Sequence, residues 1–219
     1  MRARILLADD HRVLTEGLTK LLSQNFDVVA AAHTGHELVN LAKEHRPDVI
    51  VTDVSMPLLN GLDALRMLRK SGIRSKFVIL TMHMDVSLAV EAFRSGASAY
   101  VLKLAAGDEI RSAVEAALAG RTYLSPNFPV DLVSVLAEAA RRPLTEGPGL
   151  TRRQREVLQL VAEGKTMKEV AAVLSISTRT AESYKYEIMR TLGMHTNAEL
   201  VQYAIRIGLI TVPPIDSAA

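Results

Sequence analysis

Three carboxylates, a hydroxyl and an amine stand where short apolar runs of this chain stop. Val49-Ile50-Val51-Thr52 ends in Asp53, and Val54-Ser55-Met56-Pro57 and Asn60-Gly61 follow. Ile5–Ala8 runs into Asp9-Asp10, Phe77–Leu80 into Thr81, and Tyr100-Val101-Leu102 into Lys103. Adjacent carboxylates repel each other and gain from a divalent cation. Mg²⁺ prefers hard oxygen ligands and bridges to phosphate. A carboxylate such as Asp53 can take a phosphoryl group as an acyl phosphate, provided that a cation and an ammonium balance the phosphoryl oxygens. Each residue alone has an ordinary role: Asp9 or Asp10 as the cap of a helix near His11, Asp53 as a turn residue, Thr81 as a strand end, Lys103 as a solvated ammonium. Only as a set, at the ends of successive runs, do they describe a metal-and-phosphate site. His83 reads as peripheral, and His11, His33, His36, His45 and His195 read as scattered, with no metal cluster among them.

The elements that would bring this set together can be read from residues 1 to 121. Apolar runs at Ile5–Ala8, Val28–Ala32, Val49–Thr52, Phe77–Leu80 and Ala99–Leu102 alternate with stretches of helical spacing. Strands apolar on both faces, alternating with helices, predict five parallel strands sandwiched by helices. Ligands bind beyond the carboxyl ends of such strands, where Asp9, Asp10, Asp53, Thr81 and Lys103 fall. Strand order is not readable.

Residues 122–149 change character. Ser125-Pro126-Asn127-Phe128-Pro129 is turn-rich, Val130–Ala140 fits a short helix, and Arg141-Arg142-Pro143 through Gly147-Pro148-Gly149 resists regular structure. We read a linker with a helix inside it. From residue 150 to 211 the pattern is all helical, with a tail at 212–219. Thr151-Arg152-Arg153-Gln154, Thr166-Met167-Lys168-Glu169 and Thr196-Asn197-Ala198-Glu199 fit capping boxes. Gly164 and Gly193 suit helix ends, and Ser177 suits a further cap. Four helices follow, near 152–162, 167–174, 178–192 and 197–207. The middle two are joined by Ser175-Ile176-Ser177 only, as in a helix-turn-helix. A small protein-binding bundle is the alternative.

The composition bounds these readings. The chain has 219 residues, 48% hydrophobic and 23% charged, which suits one or two globular domains. It has no cysteine, so thiolate chemistry and disulfides are excluded. Its +2 formal charge names no partner, and the Thr151–Thr211 segment carries nine Lys+Arg against six Asp+Glu. There is no bilayer-length apolar run. The start Met1-Arg2-Ala3-Arg4 is not a signal peptide, because Asp9-Asp10 interrupt its apolar run. A cytoplasmic location is the expectation.

The set Asp9-Asp10, Asp53 through Gly61, Thr81 and Tyr100-Val101-Leu102-Lys103 resembles the receiver domain of bacterial two-component response regulators, a flavodoxin-like fold. That resemblance implies Asp53 as phosphoacceptor from a sensor histidine kinase. It implies Mg²⁺ held by Asp10 and Asp53, with Asp9 and the Ser55 backbone carbonyl. Thr81 and Lys103 would contact the phosphoryl group, and Tyr100 is the aromatic that switches with Thr81. Pro57 stiffens the loop after the acceptor, and Gly61 permits tight entry into the next helix. Leu104 departs from the proline, aspartate or serine that many receivers place after the lysine. A cis peptide common there would imply strain.

Leu150-Thr151, Arg155-Glu156-Val157-Leu158, Ala162 through Ala171, Leu174 through Ser177, Thr180 through Tyr184 and Leu192-Gly193 are similar to the LuxR-type helix-turn-helix. The whole chain therefore resembles the NarL/FixJ class. Lys165, Lys168, Thr178, Arg179, Glu182, Ser183, Lys185, Tyr186 and Arg190 are its candidate DNA contacts, with Arg179 and Lys185 foremost. The Ala181, Tyr184, Ile188 and Leu192 stripe packs inward. The family often has valine at Ala181 and lysine at Glu182 and Thr191. Glu182 suits a cytosine amino group rather than a phosphate. The resemblance further implies promoter DNA, a homodimer on activation through the helix Ala198–Ile207, RNA polymerase as a further partner, and no membrane. Two rivals stay open. One is a phosphorylation-independent regulator whose receiver only dimerises. The other is a haloacid-dehalogenase-like phosphatase, which expects an Asp-x-Asp nucleophile on the first strand.

Overall fold

The computed structural model describes residues 2–82, 84–128 and 150–210. The readings made for His83, for the Val130–Ala140 helix, for 141–149 and for the 212–219 tail lie outside them. The chain divides into two compact units, Met1–Thr145 and Glu146–Ala219. Among the described residues no helix is long and apolar enough to cross a membrane.

In the first unit, strands and helices alternate as β1 (Arg4–Ala8), α1 (Arg12–Leu22), β2 (Asp27–Ala32), α2 (Gly35–His45), β3 (Val49–Asp53), α3 (Gly61–Lys70), β4 (Lys76–Thr81), α4 (Val86–Arg94), β5 (Ala99–Leu102), α5 (Ala106–Leu118) and β6 (Tyr123–Leu124). A single 3₁₀ turn, Lys103–Ala105, links β5 to α5. All strand pairs are parallel, in the order β2-β1-β3-β4-β5-β6. Side chains alternate across the pleat. Leu6, Ile50, Phe77 and Ile79 therefore face α2, α3 and α4 on one side, while Ile5, Leu7, Val49, Val51 and Val78 face α1 and α5 on the other. The apolar runs within β1, β3, β4 and β5 are explained by burial on both faces.

The sheet has six strands, not the five expected. Tyr123 and Leu124 pair with Ala99 and Tyr100 of β5, so the boundary set at residue 121 falls just short of the last strand. A two-residue strand has no periodicity to read, and the turn-forming Ser125-Pro126 beside it pointed to linker.

The second unit holds α6 (Arg152–Ala162), α7 (Met167–Leu174), α8 (Thr178–Leu192) and α9 (Asn197–Arg206). All three anticipated capping boxes form, at Thr151/Gln154, Thr166/Glu169 and Thr196/Glu199. Ser177 caps α8 by accepting from the Thr180 N–H, and Gly193 ends it in the left-handed region at φ 66°. Ser175, a residue with a Cβ, ends α7 in the same region at φ 53°. Leu158, Leu160, Val170, Ala181, Ile188, Leu200 and Ala204 are buried in this unit.

Candidate functional site

The site in the first unit is built from the carboxyl ends of β1, β3, β4 and β5, on both sides of the point where strand order reverses between β1 and β3. Parallel register aligns these ends: Ala8 pairs with Thr52, Asp53 with Leu80, and Thr81 with Leu102. Asp9 and Lys103, which follow β1 and β5, and Asp53 and Thr81, the last residues of β3 and β4, are therefore brought to one end of the sheet.

Lys103 Nζ lies 2.9 Å from Asp53 Oδ2 and 2.8 Å from Asp9 Oδ2. Asp9, Asp53 and Thr81 are all at least 98% buried. Asp9 does not cap α1. Its Oδ1 accepts from the His11 N–H at 2.9 Å, and α1 starts without a side-chain cap. Its carbonyl lies 2.9 Å from His33 Nδ1. His11, set aside as scattered, belongs with the acids, because its Nδ1 is 2.7 Å from Asp10 Oδ1. That neighbourhood follows from adjacency in sequence once the chain turns into α1.

Burial pushes the Asp53 carboxyl up from the ordinary 3.8 to about 6. Lys103 opposes that rise, Asp9 adds to it, and the Ser55 N–H donates to the carboxylate and lowers it. Burial alone would pull the Lys103 ammonium down, but Asp53 and Asp9 together hold its pKa above the usual lysine value. Three carboxylates against one ammonium leave a formal charge of −2. Asp9 Oδ2 and Asp10 Oδ1 are buried without a hydrogen-bond partner, with the Lys103 ammonium 2.8 Å from the first and His11 Nδ1 2.7 Å from the second. Hard oxygens with unfilled lone pairs and a −2 balance fit Mg²⁺.

The loop after β3 is set by close backbone approach. A Cβ on Gly61 would lie 1.9 Å from the Asp53 carbonyl oxygen, and one on Gly35 would lie 1.9 Å from that of Leu59. Only glycine admits the Gly61 N–H to the Val54 carbonyl at 2.8 Å. Asn60 caps α3 through the Asp63 N–H. Leu58 sits at φ 69°, strained for a residue with a Cβ. No peptide among the described residues is cis, so the Lys103–Leu104 bond is trans, and Leu104 is 88% exposed.

Tyr100 is fully buried. Its hydroxyl hydrogen-bonds Thr81, and burial drives its pKa well above the usual phenol value. Phe128 meets its ring edge-on, centroids 5.4 Å apart at 87°. Ser125 Oγ accepts from the Leu102 N–H at 3.0 Å and donates to Glu109. Ser125, Phe128 and Glu109 were missed in the sequence, where the first two read as linker.

In the second unit, Lys168, Arg179, Glu182, Ser183, Tyr186 and Arg190 are exposed, while Lys165, Thr178 and Lys185 are half-buried. Ala181 and Ile188 form the buried part of the α8 stripe, and Tyr184 and Leu192 are only partly covered. The N-terminus of α6 fixes the next two helices. Arg153 donates to the Leu174 carbonyl at the end of α7, and Gln154 donates to Glu187 on α8 at 3.1 Å. Glu156, buried on α6, takes Arg152 at 2.8 Å and Arg153 at 2.7 Å. These buried polar residues gave no signal in sequence, since polar side chains on a short helix read as solvated.

Residues 5–115 match the family described as response regulator receiver domain, and residues 148–204 match the family described as bacterial regulatory proteins, luxR family. The oxygen regulatory protein NreC of Staphylococcus carnosus is 34% identical over 214 residues, 94% of this chain and 99% of that protein. The transcriptional regulatory protein MctR of Rhizobium johnstonii is 31% identical over 212 residues, 96% of each chain. Among solved structures, RcsB of Salmonella enterica serovar Typhimurium, bound to promoter P1flhDC in the presence of the phosphomimetic BeF3⁻, has a TM-score of 0.62. It is 25% identical, with 93% of this chain and 98% of that chain covered.

Proposed function

The chain belongs to the NarL/FixJ-type two-component response regulators, a receiver joined to a LuxR-type DNA-binding domain, and on that premise we propose that Asp53 is the phosphoacceptor and that its phosphorylation by a sensor histidine kinase controls promoter binding. The observation that carries this reading is the buried Asp53 carboxylate with Lys103 and Asp9 around it. An Asp53 oxygen attacks the phosphorus in line, the P–O bond forms as the P–N bond to the kinase's phosphohistidine breaks, and the imidazole leaves with a proton. At pH 7.5 a carboxyl with a pKa of about 6 is mostly ionised and ready to attack. Lys103 neutralises a phosphoryl oxygen, and Thr81 donates its hydroxyl to another. Asp9, Asp10 and Asp53, with the Ser55 carbonyl, would hold Mg²⁺, which when bound supplies further charge balance for the phosphoryl oxygens. Buried acyl phosphate is hydrolysed slowly by water, so the chain stores a signal and turns over no substrate. The phosphatase alternative has no Asp-x-Asp here, because β1 runs into Asp9-Asp10-His11.

On the DNA side, α8 enters the major groove. Arg179 and Lys185 take the leading contacts, with Thr178, Glu182, Ser183, Tyr186 and Arg190 beside them and Lys165 and Lys168 on the backbone. The likeness to RcsB, whose structure is bound to a promoter, supports promoter DNA as the partner. Two chains, paired through α9, meet a two-fold site, and RNA polymerase is the further partner at the promoter.

Incubation with acetyl phosphate and Mg²⁺, followed by intact mass, tests the acceptor. One phosphate adduct is expected, and Asp53→Asn abolishes it. An adduct that persists in Asp53→Asn refutes the assignment.

A further inference from the structure

The segment Tyr123–Phe128 lies in sequence between α5 and the DNA-binding unit, and it is bound at three points to the strand that carries Tyr100. Leu124 pairs with Tyr100 in the sheet, and the Ser125 N–H donates to the Tyr100 carbonyl at 3.0 Å. Ser125 Oγ holds the Leu102 N–H, one residue before Lys103, and is itself held by Glu109. The chain then closes a turn, Phe128 N–H to the Ser125 carbonyl at 3.0 Å, which drops the Phe128 ring onto Tyr100. Phe128 is 95% buried, in the same cluster as Ile79, Leu88 and Ala92. A linker that merely connects two units has no need of these contacts.

Hydroxyl chemistry gives the contacts a direction. A threonine hydroxyl has one proton. When Thr81 donates it to a phosphoryl oxygen on Asp53, the only hydrogen bond it can make with Tyr100 is one that Tyr100 donates. The phosphoryl group then sits at the end of a chain running from the Tyr100 hydroxyl through the Thr81 hydroxyl, each bond polarising the next. That chain requires the Tyr100 ring where it now lies, and the Phe128 ring packs against it there.

We propose that Ser125–Phe128 is a latch on β5 and that Phe128, acting through Tyr100, is a positioning residue for the phosphoryl group. Phosphorylation of Asp53 tightens the latch, and the seated latch prolongs phosphorylation, because coupling between two sites is reciprocal. The start of the linker thus reports the state of Asp53. The inference rests on Asp53 as acceptor.

Beryllium trifluoride with Mg²⁺, a phosphoryl mimic, tests it on the full chain. Phe128→Ala is expected to weaken the mimic about 5- to 20-fold, within the usual range of coupling, and to shorten the acyl-phosphate lifetime in parallel. Phe128→Leu, which keeps most of the buried volume, is expected to fall between. On the wild-type chain, amide exchange at residues 123–128 should slow on adding the mimic, and Tyr100→Phe, which lacks the donor, should abolish that slowing. Equal mimic affinity in wild type and folded Phe128→Leu and Phe128→Ala, or exchange at 123–128 unchanged by bound mimic, overturns the latch. Failure of the wild-type chain to bind the mimic overturns instead the acceptor assignment.

Discussion

Asp53→Asn should make the metal-free protein more stable at neutral pH. Burial holds the Asp53 carboxyl at about 6, against 3.8 ordinarily. An acid whose pKa is raised by folding binds its proton more tightly in the native state. Stability is then greatest below 3.8, is lost as pH rises through the window from 3.8 to about 6, and stays low above it. At about 1.36 kcal/mol per pKa unit, ionised Asp53 costs the native state about 3 kcal/mol at pH 7.5 and about 1.6 kcal/mol at pH 5. Asparagine carries no charge at either pH. The favourable pairing of the ionised acid with Lys103 is already contained in the raised Asp53 pKa. The expected net gain is therefore about 3 kcal/mol at pH 7.5 in EDTA, and about 1.4 kcal/mol less at pH 5. Urea unfolding, followed by amide exchange in β3 and β4 peptides, isolates the receiver. A variant less stable than wild type at pH 7.5, or one whose advantage is the same at both pH values, refutes the account of a buried, charged acceptor.

Gly61→Ala places a Cβ 1.9 Å from the Asp53 carbonyl oxygen, so it should cost at least about 1–3 kcal/mol and slow adduct formation, as read by urea unfolding and intact mass. Glu156→Gln weakens the pairing of Arg152 and Arg153 with residue 156 within α6. Because both arginines are partly exposed, a loss of about 1–2 kcal/mol is expected, confined to the second unit by amide exchange, with Asp53 phosphorylation unchanged. Arg179→Ala, at an exposed position on α8, should weaken promoter binding. If Arg179 meets a phosphate, the slope of log affinity against log salt falls by about 1, whereas a base contact relaxes sequence preference by about 1–3 kcal/mol at one position. Titrations at three salt concentrations separate the two.

The sequence was most informative where one physical constraint acted over several residues. Apolar side chains at every position of Val49–Val51 required cover on both faces, and β3 sits at the centre of the sheet. The acidic pair, Asp53, Thr81 and Lys103 could be grouped because parallel strands end on one side. Residues whose role depends on distant partners stayed hidden. Ser125 is an ordinary turn residue until Leu102 and Glu109 are beside it. Glu156 is a surface glutamate until α6 is docked with its N-terminus at α7. β6 is two residues long, too short for a pattern.

The separation of the site residues along the chain has a consequence for the protein during its synthesis. Asp9 and Lys103 are in contact, yet β1 and β5 are two strands apart in the sheet, with β3 and β4 between them. Contacts so far apart in sequence form late, after shorter-range ones have met the cost of closing the loop. A nascent chain still missing β5 lacks the ammonium that balances Asp9 and Asp53, whatever local helices it has made. Competence to take a phosphoryl group therefore arrives only with the finished sheet, and the signalling system needs no separate inspection step to ignore half-made copies of its own regulator.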